Sequence, residues 1–253
     1  MAKATFKVTW TDFTVLKKHD VDRDRPYLWV FGIVVDATSI QSENYVIRKP
    51  CTSDNLGQKF KKGDSVAVPG SLDISREITP ILLGKATAGV VVVAWENAMT
   101  KDSVIADAYD AAADTINEFV KEAVPAALGE LFEAVAAGTP IDEIEVGLSD
   151  AQMKDLEADV EAKVRATIKE GWSVFQLVHD HLIGLDKTVV TLEEVTLEEP
   201  FEQCLDYRFI SGSTDYNLEG DMSYRLPVPR TGNTLDPVDN HIKNQEQKPY
   251  ATK

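Results

Sequence analysis

The chain has 253 residues, 43% hydrophobic and 27% charged, enough for one large domain or two modest ones around a core that needs no disulfide staples. With 26 Lys and Arg against 42 Asp and Glu, the net charge is −16. That field repels phosphate backbones and bare anionic membranes, draws divalent cations and excludes nucleic acid as an expected partner. It also serves plain solubility.

The opening MAKATFKVTW holds no apolar run of signal-peptide length, and no segment approaches 18 consecutive apolar residues. The expectation is a protein kept in a cytoplasm or exported without a cleavable signal. TFKVTWTDFTVL alternates Phe6, Val8 and Trp10 with Lys7, Thr9 and Thr11, the period of a half-buried strand. PYLWVFGIVVD is apolar on both faces and predicts a central strand. NYVIRK is a short strand, KKGDSVAVPG a turn and strand, and GVVVVAWE the most strand-like run of the chain. Cys51 and Cys204 lie far apart and could be a bridge between strands or two buried thiols.

From Thr100 the period changes. Ile105, Ala108, Ala112, Ile116, Phe119 and Val120 recur at helical steps, with a break or kink expected at Pro125 and Gly129 before LGELFEAVAAG resumes. After a loop, GTPIDEIEVG, a capping box of Ser149 and Gln152 opens a second helix. Its stripe runs Met153, Leu156, Val160, Val164, Ile168, Trp172, Phe175, His179 and Leu182 to a stop at Gly184. That helix would extend about 50 Å.

The chain then returns to β in KTVVTLEEVTLEE, QCLDYRFIS and DMSYRLPV, with SGSTDYNLEGD as a hairpin loop between the last two. The polar remainder predicts a flexible tail. The fold class expected is mainly β with inserted α: an antiparallel β-sandwich of seven to nine strands interrupted by a long helical hairpin. Residues 1–99 and 185–228 form the discontinuous sandwich, 100–184 the hairpin, and 229–253 the tail.

Two stretches carry a resemblance. Pro26-Tyr27-Leu28-Trp29-Val30 follows a segment with Asp20, Asp22 and Asp24, and VVVVAWENAMTKDSVI carries Glu96 and Asp102. Over residues 12–105 these resemble the calcium- and lipid-binding β-sandwich family typified by the second conserved domain of protein kinase C. There, acidic loops flank an Asp-Pro-Tyr strand opening and a Val-rich strand. Here Arg25 precedes Pro26, Ala98 stands where a second acid would fall, and Asp102 comes two residues early. The resemblance implies a sandwich, calcium and a lipid surface.

Calcium needs six to eight oxygen ligands on convergent loops. Asp20, Asp22 and Asp24 alternate, so in an extended segment they share a side, and Glu96, Asn97 and Asp102 could complete the set. The alternative is a self-neutralised turn, Asp22-Arg23-Asp24-Arg25. Bound cations would reverse the local sign and permit approach to an anionic membrane. Gly63-Asp64-Ser65 resembles a nucleophile block but reads as a turn, and on a helix His179 and His181 cannot share a metal. No phosphate loop, dinucleotide fingerprint or zinc spacing occurs.

The expected function is therefore non-enzymatic recognition, modulated by calcium. The partner is a membrane surface or a protein, met through the loops at Asp20–Asp24 and Glu96–Asp102. The alternatives are an effector or pore-forming toxin acting through the helical hairpin, and a structural subunit that self-assembles into a homo-oligomer.

Overall fold

A computed structural model describes residues 4–18, 25–57, 59–81, 85–96, 102–139, scattered positions from 151 to 166, 181–192 and 201–225. The chain is mainly β, in two antiparallel sheets with one long helix.

The first sheet is built on β1 (Ala4–Lys17). β1 pairs along its length with β9 (Thr214–Arg225), which pairs in turn with β8 (Phe201–Ser211). On its other edge β1 takes β5 (Ile74–Ile78) along its first half and β4 (Ser65–Ala67) along its second. The switch falls near a bulge between Trp10 and Phe13, where the Asp73 carboxylate accepts the Trp10 N–H at 3.1 Å. The bulge keeps Phe6, Val8, Trp10, Phe13 and Val15 all on the buried face.

The second sheet runs β3 (Val46–Arg48), β2 (Pro26–Val35), β6 (Ala86–Glu96), β7 (His181–Leu192). β2 and β6 are interior strands buried on both faces, as their unbroken apolar runs predict. One face of this sheet, with Leu28, Val30, Val90, Val92 and Ala94, shares a buried cluster with the inner side chains of the first sheet. The other face, with Tyr27, Trp29, Phe31, Val91, Val93 and Trp95, is covered by helix. Gly89 permits the close pairing of β6 with β7, since a Cβ there would stand 2.5 Å from the Thr188 carbonyl oxygen.

α2 (Asp102–Ala136) lays Ile105, Ala108, Tyr109, Ala112, Ala113, Ile116, Val120 and Val124 on that second face. The seam is locked at the β3 edge. Arg48 forks onto Asp110 and Asp114, the Asn117 carboxamide accepts the Tyr45 N–H at 2.8 Å, and Lys121 meets Glu43 at 2.5 Å. These partners recur every three or four residues, the spacing of one helix flank. Among the described residues Val124 is the last buried side chain of the stripe, with Leu128 partly buried against the same cluster. Beyond Val124 the helix runs on for about 18 Å, with Phe132 54% exposed.

Several expectations are corrected. Pro125 and Gly129 do not break the helix; α2 is continuous through both. Pro125 is exposed, so the hydrogen bond it forfeits can be replaced by water. Leu182 and Gly184 do not end a helix; both lie in β7, opposite Trp95 and Ala94 of β6. The valine run of β6 needs a partner on its second edge, and Gly184 lets Phe209 of β8 close on the backbone, where a Cβ would meet its ring at 3.3 Å. His181 accordingly opens a strand. The loop expected over Ser211–Asp221 reduces to the Gly212-Ser213 turn, with Gly212 at φ +57°. Neither β5 nor α1 (Ala37–Ser42) was expected. Of the second helix, Val160 is buried in the cluster beneath α2, while Ser149, Gln152 and most of the stripe lie outside the described residues, as does the tail 229–253.

Candidate functional site

Of the candidate ligands, Glu96 closes β6 at one end of the second sheet. Pro26 opens β2, Glu96 closes β6 and His181 opens β7, and the three are cross-strand neighbours. The chain therefore enters β2 from residues 19–24 beside the point where it leaves β6 into residues 97–101. A third segment reaches the same end. The Asn55 side chain accepts the Leu28 N–H at 3.1 Å and donates to the Leu28 carbonyl at 2.6 Å, pinning the 50–57 turn along β2 as a strand would. Ser53 then donates to Asp102 at the start of α2, 2.7 Å away.

Of the predicted ligands, Asp20, Asp22, Asp24 and Asn97 lie outside the described residues. Glu96 is 4% exposed and shares the inward-facing side of β6 with Val92 and Ala94. Asp102 is exposed and engaged with Ser53. Among the described residues no group of three or more His, Cys, Asp or Glu side chains is arranged to hold a metal.

Aromatic rings floor this end. Tyr27 and Trp95 stack across the β2–β6 pair at 6.3 Å, and Trp29 leans on Trp95 at 4.7 Å. Tyr109 of α2 meets Trp29 edge-on, accepts the Lys49 N–H at 2.6 Å and donates to the Val30 carbonyl at 3.2 Å. Burial pushes its hydroxyl well above the ordinary tyrosine range.

The first sheet ends on the same side, because Gly184, three residues into β7 from His181, packs on Phe209 of β8, the neighbour of Ile210. Gly63-Asp64-Ser65 closes that end as a turn. Gly63 takes φ +88°, Asp64 accepts the Lys61 N–H at 2.7 Å, and the Ser65 hydroxyl accepts from Thr14 at 2.9 Å. Sequence reasoning missed the charged group here. Asp215, 1% exposed, accepts two hydrogen bonds from the Arg208 guanidinium, both at 2.9 Å, with Lys17 at 3.9 Å. Those hydrogen bonds hold its carboxyl below the usual range, against the opposing effect of burial. The available signal was Gly212-Ser213, a two-residue turn that would have put Asp215 on a strand.

Cys51 is half-buried and Cys204 exposed, and both are free thiols. Burial, with Asp110 nearby, raises the Cys51 thiol. No helix among the described residues is long and apolar enough to cross a membrane. What fold and site define is a mainly β protein of two antiparallel sheets, with a long helix docked on one of them and the 50–57 turn bonded both to β2 and to the start of that helix. No family model, curated protein or solved structure matches the chain.

Proposed function

We propose that the chain is a non-enzymatic recognition module: a β-sandwich with an inserted helical hairpin, modulated by calcium, that meets its partner through the end of the sheets bearing residues 19–24 and 96–102. One observation carries this reading. Pro26 and Glu96, the anchors of the two acidic segments, are registered partners on adjacent strands, with the Ser53–Asp102 contact bringing in a third segment. Calcium demands that kind of convergence of separate loops, and the family resemblance over residues 12–105 points the same way. The toxin alternative is weakened by what opening the hairpin would cost. Ile105, Ile116 and Val120 are buried on Trp29, Phe31 and Trp95, and Arg48, Asn117 and Lys121 tie the flank to β3 and its neighbouring turn.

The test is a thermal melt in chelator and then in millimolar calcium, repeated on the Asp22→Asn, Asp24→Asn variant. An ion that binds only the folded state raises the midpoint by mass action. The expected result is a rise of several degrees that the variant loses. An unchanged midpoint in the parent protein removes calcium from the reading.

A further inference from the structure

The outer face of the first sheet is divided. Its exposed aliphatic residues gather at the end described above: Ile210 is 60% exposed and Leu16 36%. The strand register puts Lys17, Asp215 and Ile210 in one row across β1, β9 and β8. In that row the carboxylate is buried while its partners are not, the side chains of Arg208 and Lys17 being 58% and 65% exposed against 2% for Asp215. On this face the anion is covered and the cations are exposed. Lys18 follows directly on Lys17. Farther from this tip the same face turns acidic, with Asp206, Glu202, Glu219 and Asp221 exposed.

We infer that this tip docks onto anionic lipid bilayers without calcium, Leu16 and Ile210 entering the headgroup boundary while Lys17 and Arg208 face the lipid charge. This rests on the reading of this end as the recognition end, but not on metal. The overall charge of −16 argues against such an approach only at long range. At physiological salt the field is screened within about 8 Å, so the charges at the tip decide. The acidic remainder of the face then disfavours side-on contact and selects the tip-on pose. Size favours lipid over protein. Two aliphatic side chains fall far short of the roughly 800 Å² per partner that a specific protein interface buries, whereas each basic residue near an anionic leaflet adds independently to binding.

The experiment is co-sedimentation with phosphatidylcholine vesicles, with and without phosphatidylserine, in chelator, at low and high salt. A control without vesicles runs beside it. We expect binding to the phosphatidylserine vesicles, weakened by salt, and at least about tenfold weaker for the Leu16→Asp, Ile210→Asp variant. Both positions are exposed, and an unchanged melting midpoint shows that the variant still folds. Ile210→Ser serves if the double variant does not. Equal binding by parent and variant overturns the inference, as does no binding in chelator. Binding that requires calcium overturns it too, while leaving the calcium reading in place. Pelleting without vesicles that the variant loses makes the occupant a second copy of the chain, and also overturns it. Vesicle binding in chelator with no calcium effect on melting keeps this inference and removes calcium alone.

Discussion

Asp215 ties three strands together through one carboxylate, taking both hydrogen bonds of the Arg208 fork with Lys17 close by. Its folded carboxyl is a stronger acid than the same group in the unfolded chain. Its stabilising contribution is thus fully present above the unfolded value, about pH 4, and is lost as pH falls through the lower folded value. Asp215→Asn is expected to lower stability at neutral pH and to flatten the loss on acidification, read from melts at a series of pH values below about 5. A variant that keeps the parent's full acid dependence would assign that dependence elsewhere. Tyr109 is the corresponding hinge pin of the helix seam. Tyr109→Phe leaves the Lys49 N–H and the Val30 carbonyl without their bonds to the hydroxyl, and should cost about 1–3 kcal/mol by denaturant titration. A loss near zero would mean that water or a small shift satisfies both.

At the level of elements, Pro125 gives the clearest forecast. It lies inside a continuous helix and is exposed, between Val124 and Leu128 of the stripe. Proline is worth about 3 kcal/mol less than alanine in a helix interior. Pro125→Ala should therefore raise stability by about 1–3 kcal/mol, seen as a higher melting midpoint. A lower midpoint would show that the proline packs against something it needs. The same element shows what sequence patterning can and cannot deliver. The stripe Ile105–Val120 was legible because burial imposed the helical period on it. The break at Pro125 was misread because local propensity was allowed to outweigh a helix already anchored on a sheet. β2 and β6 were legible as interior strands because both faces are apolar. β5 was not, since ISREI is five residues with alternation too short to stand out. α1 is six residues held by the Asp36 cap, with its carboxylate accepting the Ser39 N–H at 2.7 Å, a motif hidden at the end of a strand. The opening of β7, His181–Gly184, was lost to a helix because HLIGL carries either period. Only the open edge of β6 resolves it, and that edge is a tertiary fact.

For the whole molecule, charge is the governing term. A net charge of −16 spread over one body repels itself, so added sodium chloride should raise the melting midpoint before any specific ion is considered. A fall with salt would mean that ion pairs such as Arg208–Asp215 outweigh the collective repulsion. This also sets the control for the calcium melt, which must exceed the effect of matched ionic strength. The candidate site was legible in part. The end of β6 at Glu96 was legible, because a Val-rich strand must stop where its chain turns polar. The buried Asp215 and the Asn55 clamp were not, since each depends on a partner far away in sequence, and no local pattern marks which strands will become neighbours.

The pairing of β1 with β9 sets the order in which the molecule can be made. Thr5 and Arg225 are opposite one another in the ladder, so β1, made before the other strands described, is among the last to be completed. β2, β6 and α2 can collapse together while synthesis is still under way, with β1 held by the short strands β4 and β5 alone. Until β9 emerges, Phe6, Val8 and Trp10 lack the strand that shares their ladder and closes the face they line. Such distant pairing makes refolding slow, on the order of milliseconds to seconds, and makes the nascent N-terminal strand the part most in need of shelter. A chain that stops short of Thr214 has every element of the second sheet and no way to finish the first.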